Sequence, residues 1–225
     1  MYSVPIDFGL INPRVLKAYY YSDGKKYERR HELGERTVYD YEIELITYSD
    51  GGMYIDRVYY PVAKGDIIFR RPGQTTKGIL PYTCYAVILD LLDNTGKDSD
   101  TYDFNMPQKY QQYYACPSLD RIPPVVRASS YEQYSVLFDA ILKEYINPGP
   151  ESATLLKGYC LQLLCRLSRE AIRPAGCEGD RSAYRTMLKN VAEYVEQNIS
   201  KKIMLKDLAA VAGMSPNYFK RIITK

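Results

Sequence analysis

The chain has 225 residues and a net charge of +3, with 46% hydrophobic and 25% charged residues. These values fit one large or two modest globular domains, and the charge is too small to decide for or against a nucleic-acid partner. Five widely spaced cysteines without a CxxC pair, together with a single histidine, exclude a zinc-ligand set and predict free thiols in a reducing cytosol.

Two further features concern export and membranes. The first residues, MYSVPIDFGL, have neither a basic segment nor a long apolar core, so no signal peptide is predicted. The uncharged stretch 78–89, which no other uncharged stretch exceeds in length, is shorter than the roughly 20 residues that a helix needs to cross a bilayer. We therefore expect a cytoplasmic protein without membrane contact.

Residues 1 to about 115 are expected to form β structure. Strands are predicted over 41–48 (YEIELITY) and, most apolar of all, over 82–92 (YTCYAVILDLL). The SDGG segment at 49–52 is typical of a hairpin turn. Further turns are predicted near Asp56, at 64–66 (KGD) and at 71–74 (RPGQ). Short strands between frequent turns are typical of a sandwich or a barrel.

From Ser130 onwards, apolar residues recur at intervals of three and four, which predicts amphipathic helices. The apolar stripe of the first helix contains Tyr134, Leu137, Phe138, Ile141, Leu142 and Tyr145. After a break at 147–152 (NPGPES), the stripe of the second helix contains Leu156, Cys160, Leu163, Leu164 and Leu167. The two helices are expected to cover one face of the β domain, to pair with the same helices of a second copy, or to do both.

A third helical region follows an exposed linker predicted at 173–180, RPAGCEGD. Small Ala209 and Ala212 allow two helices to cross closely, and Gly213 suits the left-handed position after a helix end. Ser215 and Pro216 are typical of the next helix start. This pattern predicts a helix-turn-helix, with an ordinary helical hairpin as the alternative. Residues 201–225 are also locally basic, with six lysines and arginines against one acidic residue.

The segment VAEYVEQNISKKIMLKDLAAVAGMSPNYFKRIITK (191–225) resembles the first half of the DNA-binding domain of AraC-type transcriptional regulators. The matching residues are Tyr194, Val195, Asn198, Leu205, Leu208, Ala209, Gly213, Ser215 and 218–221. The resemblance implies DNA as a partner. It places Asn217, Lys220 and Arg221 at groove-facing positions of the recognition helix, with Ser215 and Pro216 at the start of that helix.

Two departures from the family pattern affect this expectation. Met204 stands where the family usually has a serine or threonine N-cap, whose loss costs about 0.5–2 kcal/mol. These 225 residues contain only the first of the two helix-turn-helix units that such regulators carry. We therefore expect this chain to bind DNA weakly, because affinity depends steeply on the number of phosphate contacts.

The N-terminal region resembles the cupin-like sensor domain of the same family, through Arg36 followed in order by DYEIEL, SDGG, VAKGDIIF and RPGQ. Together the resemblances imply an α+β chain. Its expected parts are a cupin-like ligand-sensing β-barrel at 1–118, a helical dimerisation segment at 119–172, a linker at 173–181 and a partial helix-turn-helix at 182–225. A homodimer is expected to form through the helices at 130–171.

Arg36, Thr76, Tyr82 and Tyr85 are candidates for contacting a small-molecule effector. Tyrosine rings stack on sugars and arginine bonds to hydroxyls or carboxylates, so a carbohydrate is one candidate class. Strand alternation places Tyr82 and Tyr85 on opposite faces. Enzymatic cupins bind a metal through two or three histidines. With only His31, expected at the surface, no metal, cofactor or catalytic residue is predicted.

Three hypotheses about function follow. The first is a transcriptional regulator that binds specific DNA sequences under the control of a small molecule in the barrel. The second is a cupin-fold enzyme acting on a small metabolite, which the single histidine disfavours. The third is a regulator with a filled barrel that answers to a protein partner or to none. The effector, the operator and the direction of regulation stay open at this point.

Overall fold

The computed structural model describes residues 3–172, 191, 194–195, 197–199, 201–214, 216 and 219–220. The chain divides into two compact units, Met1–Ile172 and Arg173–Lys225. None of the described helices is both long and apolar enough to cross a lipid bilayer.

The strands that the structure describes all belong to the first unit. In chain order they are β1 (Val4–Pro5), β2 (Arg14–Tyr21), β3 (His31–Glu32), β4 (Arg36–Thr37), β5 (Tyr41–Ser49), β6 (Gly52–Ile55), β7 (Val58–Pro61), β8 (Asp66–Arg70), β9 (Thr75–Leu80), β10 (Tyr82–Asp90), β11 (Tyr114–Ala115) and β12 (Val125–Arg127). The strands predicted at 41–48 and 82–92 are confirmed as β5 and β10, with ends shifted by one or two residues.

These strands form two main antiparallel sheets. The first sheet has the order β12–β8–β5–β10–β2. The second sheet has the order β3–β9–β6–β7, and β4 also pairs with β9. The short strands β1 and β11 pair separately and in parallel.

The turns between consecutive strands mostly cross from one sheet to the other. The SDGG segment joins β5 of the first sheet to β6 of the second, so the predicted hairpin at this place is wrong. A hairpin does form between β6 and β7, where Asp56 and Arg57 adopt positive φ angles of 50° and 67°. Positive φ at both central residues is the geometry of a tight two-residue hairpin.

The two sheets pack face to face through a buried apolar cluster. Ile46 and Ile68 of the first sheet and Met53 and Ile55 of the second belong to this cluster. No strand pairing among the described residues joins the two sheets into a closed ring. The expected β-barrel is therefore corrected to a sandwich, the other architecture that the strand pattern predicted.

Helices cover the outer face of the first sheet. The helices of the first unit are α1 (Pro117–Asp120), α2 (Tyr131–Ile146) and α3 (Ser152–Ile172). Helix α2 begins where the Ser130 side chain accepts a hydrogen bond from the Gln133 N–H. The predicted stripes lie in the core: Tyr134, Leu137, Phe138, Ile141, Cys160, Leu163, Leu164 and Leu167 are buried against the outer face. The predicted covering role is confirmed, and pairing with a second copy stays a prediction.

The second unit contains helix α4 (Leu205–Val211), and Pro216, Phe219 and Lys220 beyond it are also helical. Ala209 and Phe219 are buried in its core, with Val191, Leu208, Ala212 and Met214 packed around them.

Candidate functional site

A cavity of about 500 Å³ lies on the inner face of the first sheet. Side chains from β2, β5, β8 and β10 line it, together with β9 of the second sheet. Exposed residues at one end, Gly34, Glu35 and Asn105, place its opening at the protein surface. The volume falls within the range of about 300–1,000 Å³ that is usual for small-molecule sites.

Three of the four predicted ligand-contacting residues line this cavity. They are Arg36 on β4, Thr76 on β9 and Tyr82 on β10. Tyr85 does not, because alternation along β10 turns its side chain to the outer face. There its ring lies 4.9 Å from the ring of Tyr20 and 6.2 Å from that of Phe138, measured between centroids. The structure thus brings Arg36, Thr76 and Tyr82 together and separates Tyr85 from them.

A network of ion pairs lies along the cavity, and three of its four residues, Arg36, Glu44 and Arg70, line it. Arg36 donates two hydrogen bonds to Glu42, from Nη1 to Oε1 and from Nη2 to Oε2, both of 2.7 Å. Arg70 also donates to Glu42 through Nη1. The Nη2 atom of Arg70 lies 2.6 Å from Oε2 of Glu44. Two positive and two negative charges are therefore paired within one network, and Arg70, Glu42 and Glu44 are almost fully buried.

The network fixes the charge of its central carboxylate. Burial is the largest influence on Glu42 and by itself raises the pKa of its carboxyl group. The charge of Arg70 and the hydrogen bonds from Arg36 outweigh burial, so the pKa of Glu42 lies below its ordinary value. Glu42 is therefore ionised at neutral pH.

Three other titratable groups of the cavity stay neutral. Burial, followed by the negative charge of Glu44, raises the pKa of Tyr19, Tyr82 and Cys84 above their ordinary values. These groups remain protonated at physiological pH. They present hydroxyl and thiol groups, and no charge of their own, to the cavity.

Aromatic rings also line the cavity. The rings of Tyr19 and Phe104 are parallel, with centroids 5.5 Å apart and an interplanar angle of 2°. The guanidinium carbon of Arg36 lies 4.9 Å from the centroid of Phe104. Gly78 has no side chain opposite Tyr82, and a Cβ there would lie 2.5 Å from the tyrosine oxygen. The glycine therefore allows the Tyr82 side chain to lie against β9.

The segment 91–113 brings Phe104 to the cavity, and a buried carboxylate anchors it. Asp40, with no exposed surface, accepts hydrogen bonds from Lys97 Nζ (2.6 Å), Tyr102 Oη (2.6 Å) and Gln111 Nε2 (2.9 Å). Each of these donors belongs to the segment. Three bonds to one buried acceptor hold the segment to the start of β5.

The sequence prediction missed Glu42, Glu44 and Arg70. In β5 the two glutamates alternate with Ile43 and Leu45, a pattern that is usual for a strand with one face in water. Here both faces are buried, and Glu42 and Glu44 are only 3% and 6% exposed. The available signal was Arg70 directly after the apolar residues 67–69, because an arginine that is buried with such a strand requires a carboxylate partner.

The second unit contains the turn expected of a helix-turn-helix. The Met214 N–H donates to the carbonyl of Ala209 (2.9 Å) and the Gly213 N–H donates to that of Ala210 (3.0 Å), while Gly213 has a φ of 66°. These two bonds with a left-handed glycine constitute a Schellman motif. The predicted role of Gly213 is confirmed.

The start of α4 is capped from inside the helix. Met204 supplies no side-chain cap, as predicted. The Asp207 carboxylate instead accepts a hydrogen bond of 2.9 Å from the Met204 N–H. This bond is the reciprocal half of a capping box, so it offsets part of the expected loss.

Two of the five predicted DNA-contacting residues can be placed. Pro216 and Lys220 are helical and exposed, whereas the adjacent Phe219 is buried. The side chain of Lys220 therefore emerges on the solvent face of its helix. Ser215, Asn217 and Arg221 lie outside the described residues.

No group of three or more histidine, cysteine, aspartate or glutamate side chains suited to a metal ion occurs in the part of the chain that the structure describes. His31 is exposed, and its ring stacks on that of Tyr27 at 4.5 Å between centroids. Within the same residues, Cys84, Cys116 and Cys160 are buried free thiols and Cys165 is half-buried.

Comparisons with known proteins give structural matches but no sequence relatives. No protein-family model matches the sequence, and no curated protein matches it. A variant of ToxT from Vibrio cholerae, solved in the apo form, has 11% identity and a TM-score of 0.41, and the match covers 92% of this chain and 73% of that one. The AraC-like transcriptional activator CuxR has 12% identity and a TM-score of 0.39, with 87% and 72% of the two chains covered.

Other matches are confined to part of the chain. A cupin 2 conserved barrel domain protein from Salinispora arenicola has 17% identity and a TM-score of 0.26, over 35% of this chain and 74% of that one. The chain spans about half the length of two further solved structures: 56% of a conserved protein of unknown function from Streptococcus pyogenes and 52% of the plu4264 protein from Photorhabdus luminescens. The matched structures thus include an AraC-like activator over most of the chain and a cupin barrel domain protein over a segment.

Proposed function

We propose that this protein is a transcriptional regulator that binds specific DNA sequences and is controlled by a small molecule bound in the cavity. In this proposal residues 1–118 sense the ligand, 119–172 dimerise, 173–181 link the two parts, and 182–225 contact DNA. It is a binding protein and not an enzyme. A ligand changes DNA binding only by binding two states of the protein with different affinities.

The observation that carries the proposal is the geometry around Gly213. A short helix ends there in a Schellman motif, and Ala209 packs against Phe219 of the following helical segment. A small residue at this contact allows the close helix crossing that a helix-turn-helix requires. Lys220 then lies on the exposed face, where a major groove would meet it.

The ligand part of the proposal is supported by the cavity. It combines aromatic ring faces with a small number of buried polar groups, which is the usual composition of a small-molecule site. Arg36, Thr76 and Tyr82 are proposed to contact the effector. Ring faces such as those of Tyr19 and Phe104 also suit a carbohydrate, the finer candidate for the effector.

The homodimer is proposed to form through α2 and α3. Val136 on α2 is 70% exposed and Leu155 on α3 is 41% exposed, so apolar side chains remain on the side of the helices that faces away from the sheet. Light scattering should give the mass of two chains, and Val136→Glu should lower it to that of one. A monomeric mass for the unmodified chain would contradict this part of the proposal.

DNA binding is tested by selection from a randomised duplex pool at low salt. We expect one sequence motif to be enriched, because exposed side chains of a recognition helix read base edges. Lys220→Ala should weaken binding and reduce the slope of log affinity against log salt concentration by about 1 if this lysine contacts phosphate.

The matched control is Lys109→Ala, which removes an exposed lysine from the first unit. It should leave both the affinity and the salt slope unchanged. Absence of any enriched motif, or equal effects of the two substitutions, would contradict the proposal.

A further inference from the structure

We propose that the cavity selects an uncharged, hydroxyl-bearing ligand and rejects carboxylates, and that Glu44 determines this selection. The inference rests on the proposed function in one respect, namely that the cavity binds an effector. It adds the charge class of that effector and the residue that imposes it.

The arginines of the cavity have no free charge to offer a carboxylate. Both arginines that line the cavity are already paired, Arg36 with Glu42 and Arg70 with Glu42 and Glu44. A carboxylate ligand could pair with one of these arginines only by displacing the glutamate that the arginine already contacts. It would then leave a glutamate buried without compensation, which is strongly unfavourable.

Glu44 is placed where its charge can act on a ligand. It lines the cavity, is 6% exposed, and its Oε2 atom lies 2.6 Å from Nη2 of Arg70. An anionic ligand in the cavity would bring a second negative charge close to this carboxylate, whereas an uncharged ligand would not.

The polar groups of the cavity lining favour a hydroxyl-bearing ligand. Tyr19, Thr76 and Tyr82 line the cavity, and the raised pKa values of the two tyrosines keep their hydroxyl groups neutral. A ligand hydroxyl both donates and accepts a hydrogen bond, so it can pair with such groups without bringing a charge into the cavity.

The remaining cavity groups agree with an uncharged ligand. The charge of Glu44 contributes to the raised pKa values of Tyr19, Tyr82 and Cys84, so its negative field reaches three other positions in the cavity. The same field disfavours an anion at those positions.

The test compares probes that differ only at one group. The pairs are glucose with glucuronate, galactose with galacturonate, and coniferyl alcohol with ferulate. Calorimetric titration of the full chain measures each affinity without DNA, so the result is independent of whether the protein binds an operator. We expect at least one alcohol to bind and to exceed its carboxylate partner by about tenfold or more, the scale set by leaving a buried charge unpaired.

Methyl esters of the same acids provide a test that needs no substitution. Because esterification removes the charge, the ester of the acid whose alcohol binds should recover most of the affinity of that alcohol. In Glu44→Gln, Arg70 loses one partner, and the carboxylate should gain about tenfold relative to the alcohol. Glu32→Gln, which removes an exposed glutamate from outside the cavity, should leave the preference unchanged.

Three results would overturn the inference. A carboxylate that binds the unmodified protein as tightly as its alcohol excludes the charge selection. A failure of every alcohol to bind excludes the hydroxyl class. An unchanged preference in a folded Glu44→Gln variant would show that Glu44 does not determine the selection between alcohol and carboxylate. The proposed function fails by a different result, which is the absence of an enriched DNA motif.

Discussion

The two faces of the first sheet are built from the same strands and are both buried, yet their chemistry differs. On the outer face, Ile43 and Leu45 of β5 pack under α2 and α3 in a continuous apolar layer. On the inner face, Glu42 and Glu44 of the same strand contact arginines beside a cavity. The outer face is apolar and packs against the helices, whereas the inner face carries buried charged side chains.

The two faces of this sheet therefore contribute differently to the stability and to the function of the protein. Apolar burial stabilises the fold by about 25 cal/mol per Å². Buried ion pairs lose much of their attraction to the cost of desolvation, and apolar replacements of similar volume are often as stable. A charged inner face is therefore poorly explained by stability, and it is the kind of local departure that marks a binding site.

The largest effect is expected from removing the charge shared by two glutamates. Arg70→Met should lower the free energy of unfolding by about 3–5 kcal/mol, because Glu42 and Glu44 would remain buried without that charge. Urea unfolding measures the change. The control Lys77→Met removes a cation whose partner, Glu32, is 59% exposed, and it should cost at most about 1 kcal/mol. Equal losses in the two variants would contradict the prediction that breaking the buried network costs more stability than breaking a surface ion pair.

The next effect concerns the outer face. Leu163→Ala should lower the free energy of unfolding by about 2–5 kcal/mol, because it opens a cavity at a residue with no exposed surface. Leu10→Ala makes the same change at a residue that is 64% exposed and lies outside the proposed dimer helices, and should cost about 0.5 kcal/mol or less. Similar costs at both positions would contradict the assignment of the buried stripe.

The smallest effect is a dependence on pH. The pKa of Glu42 is lowered in the folded state, so its pairing stabilises the fold above the unfolded-state pKa of about 4.3 and is lost as the pH falls below it. Urea unfolding between neutral and acidic pH should therefore show a shallower acid loss in Glu42→Gln than in the unmodified chain. Glu32→Gln serves as the exposed control, and parallel acid profiles for all three proteins would contradict the assignment.

Local patterns predicted the elements of this fold well. The three- and four-residue spacing after Ser130 identified the buried stripes of α2 and α3, since that period belongs to the helix itself. Gly213 was predicted because few other residues adopt a left-handed conformation without strain. Features that depend on only a few neighbouring residues could therefore be predicted from the sequence.

Pairing between strands was harder to predict from the sequence. SDGG predicts that the chain reverses, but its residues carry no information on which sheet receives the next strand. Long-range burial decides that, and it directs β6 to the second sheet. The same reason explains the sandwich that replaced the expected barrel.

The site could be predicted in part. Arg36, Thr76 and Tyr82 were placed by strand alternation and by resemblance, and they line one cavity. Their role as ligand contacts stays a prediction. Glu44 was not identified, because a polar position in an alternating strand has the same pattern whether it meets water or a cavity. Segment 91–113 has no periodicity, so its part in the cavity wall could not be read from the sequence.

The strand order also has a consequence for folding. Strand β2 has its partner in β10, and β8 has one of its partners in β12. A growing chain therefore cannot complete the first sheet until residues 125–127 are available, and until then several strand edges remain unpaired. Contacts between distant parts of a chain are slow to form, so the sandwich is expected to fold more slowly than its covering helices, and its open edges are where nascent chains would associate wrongly.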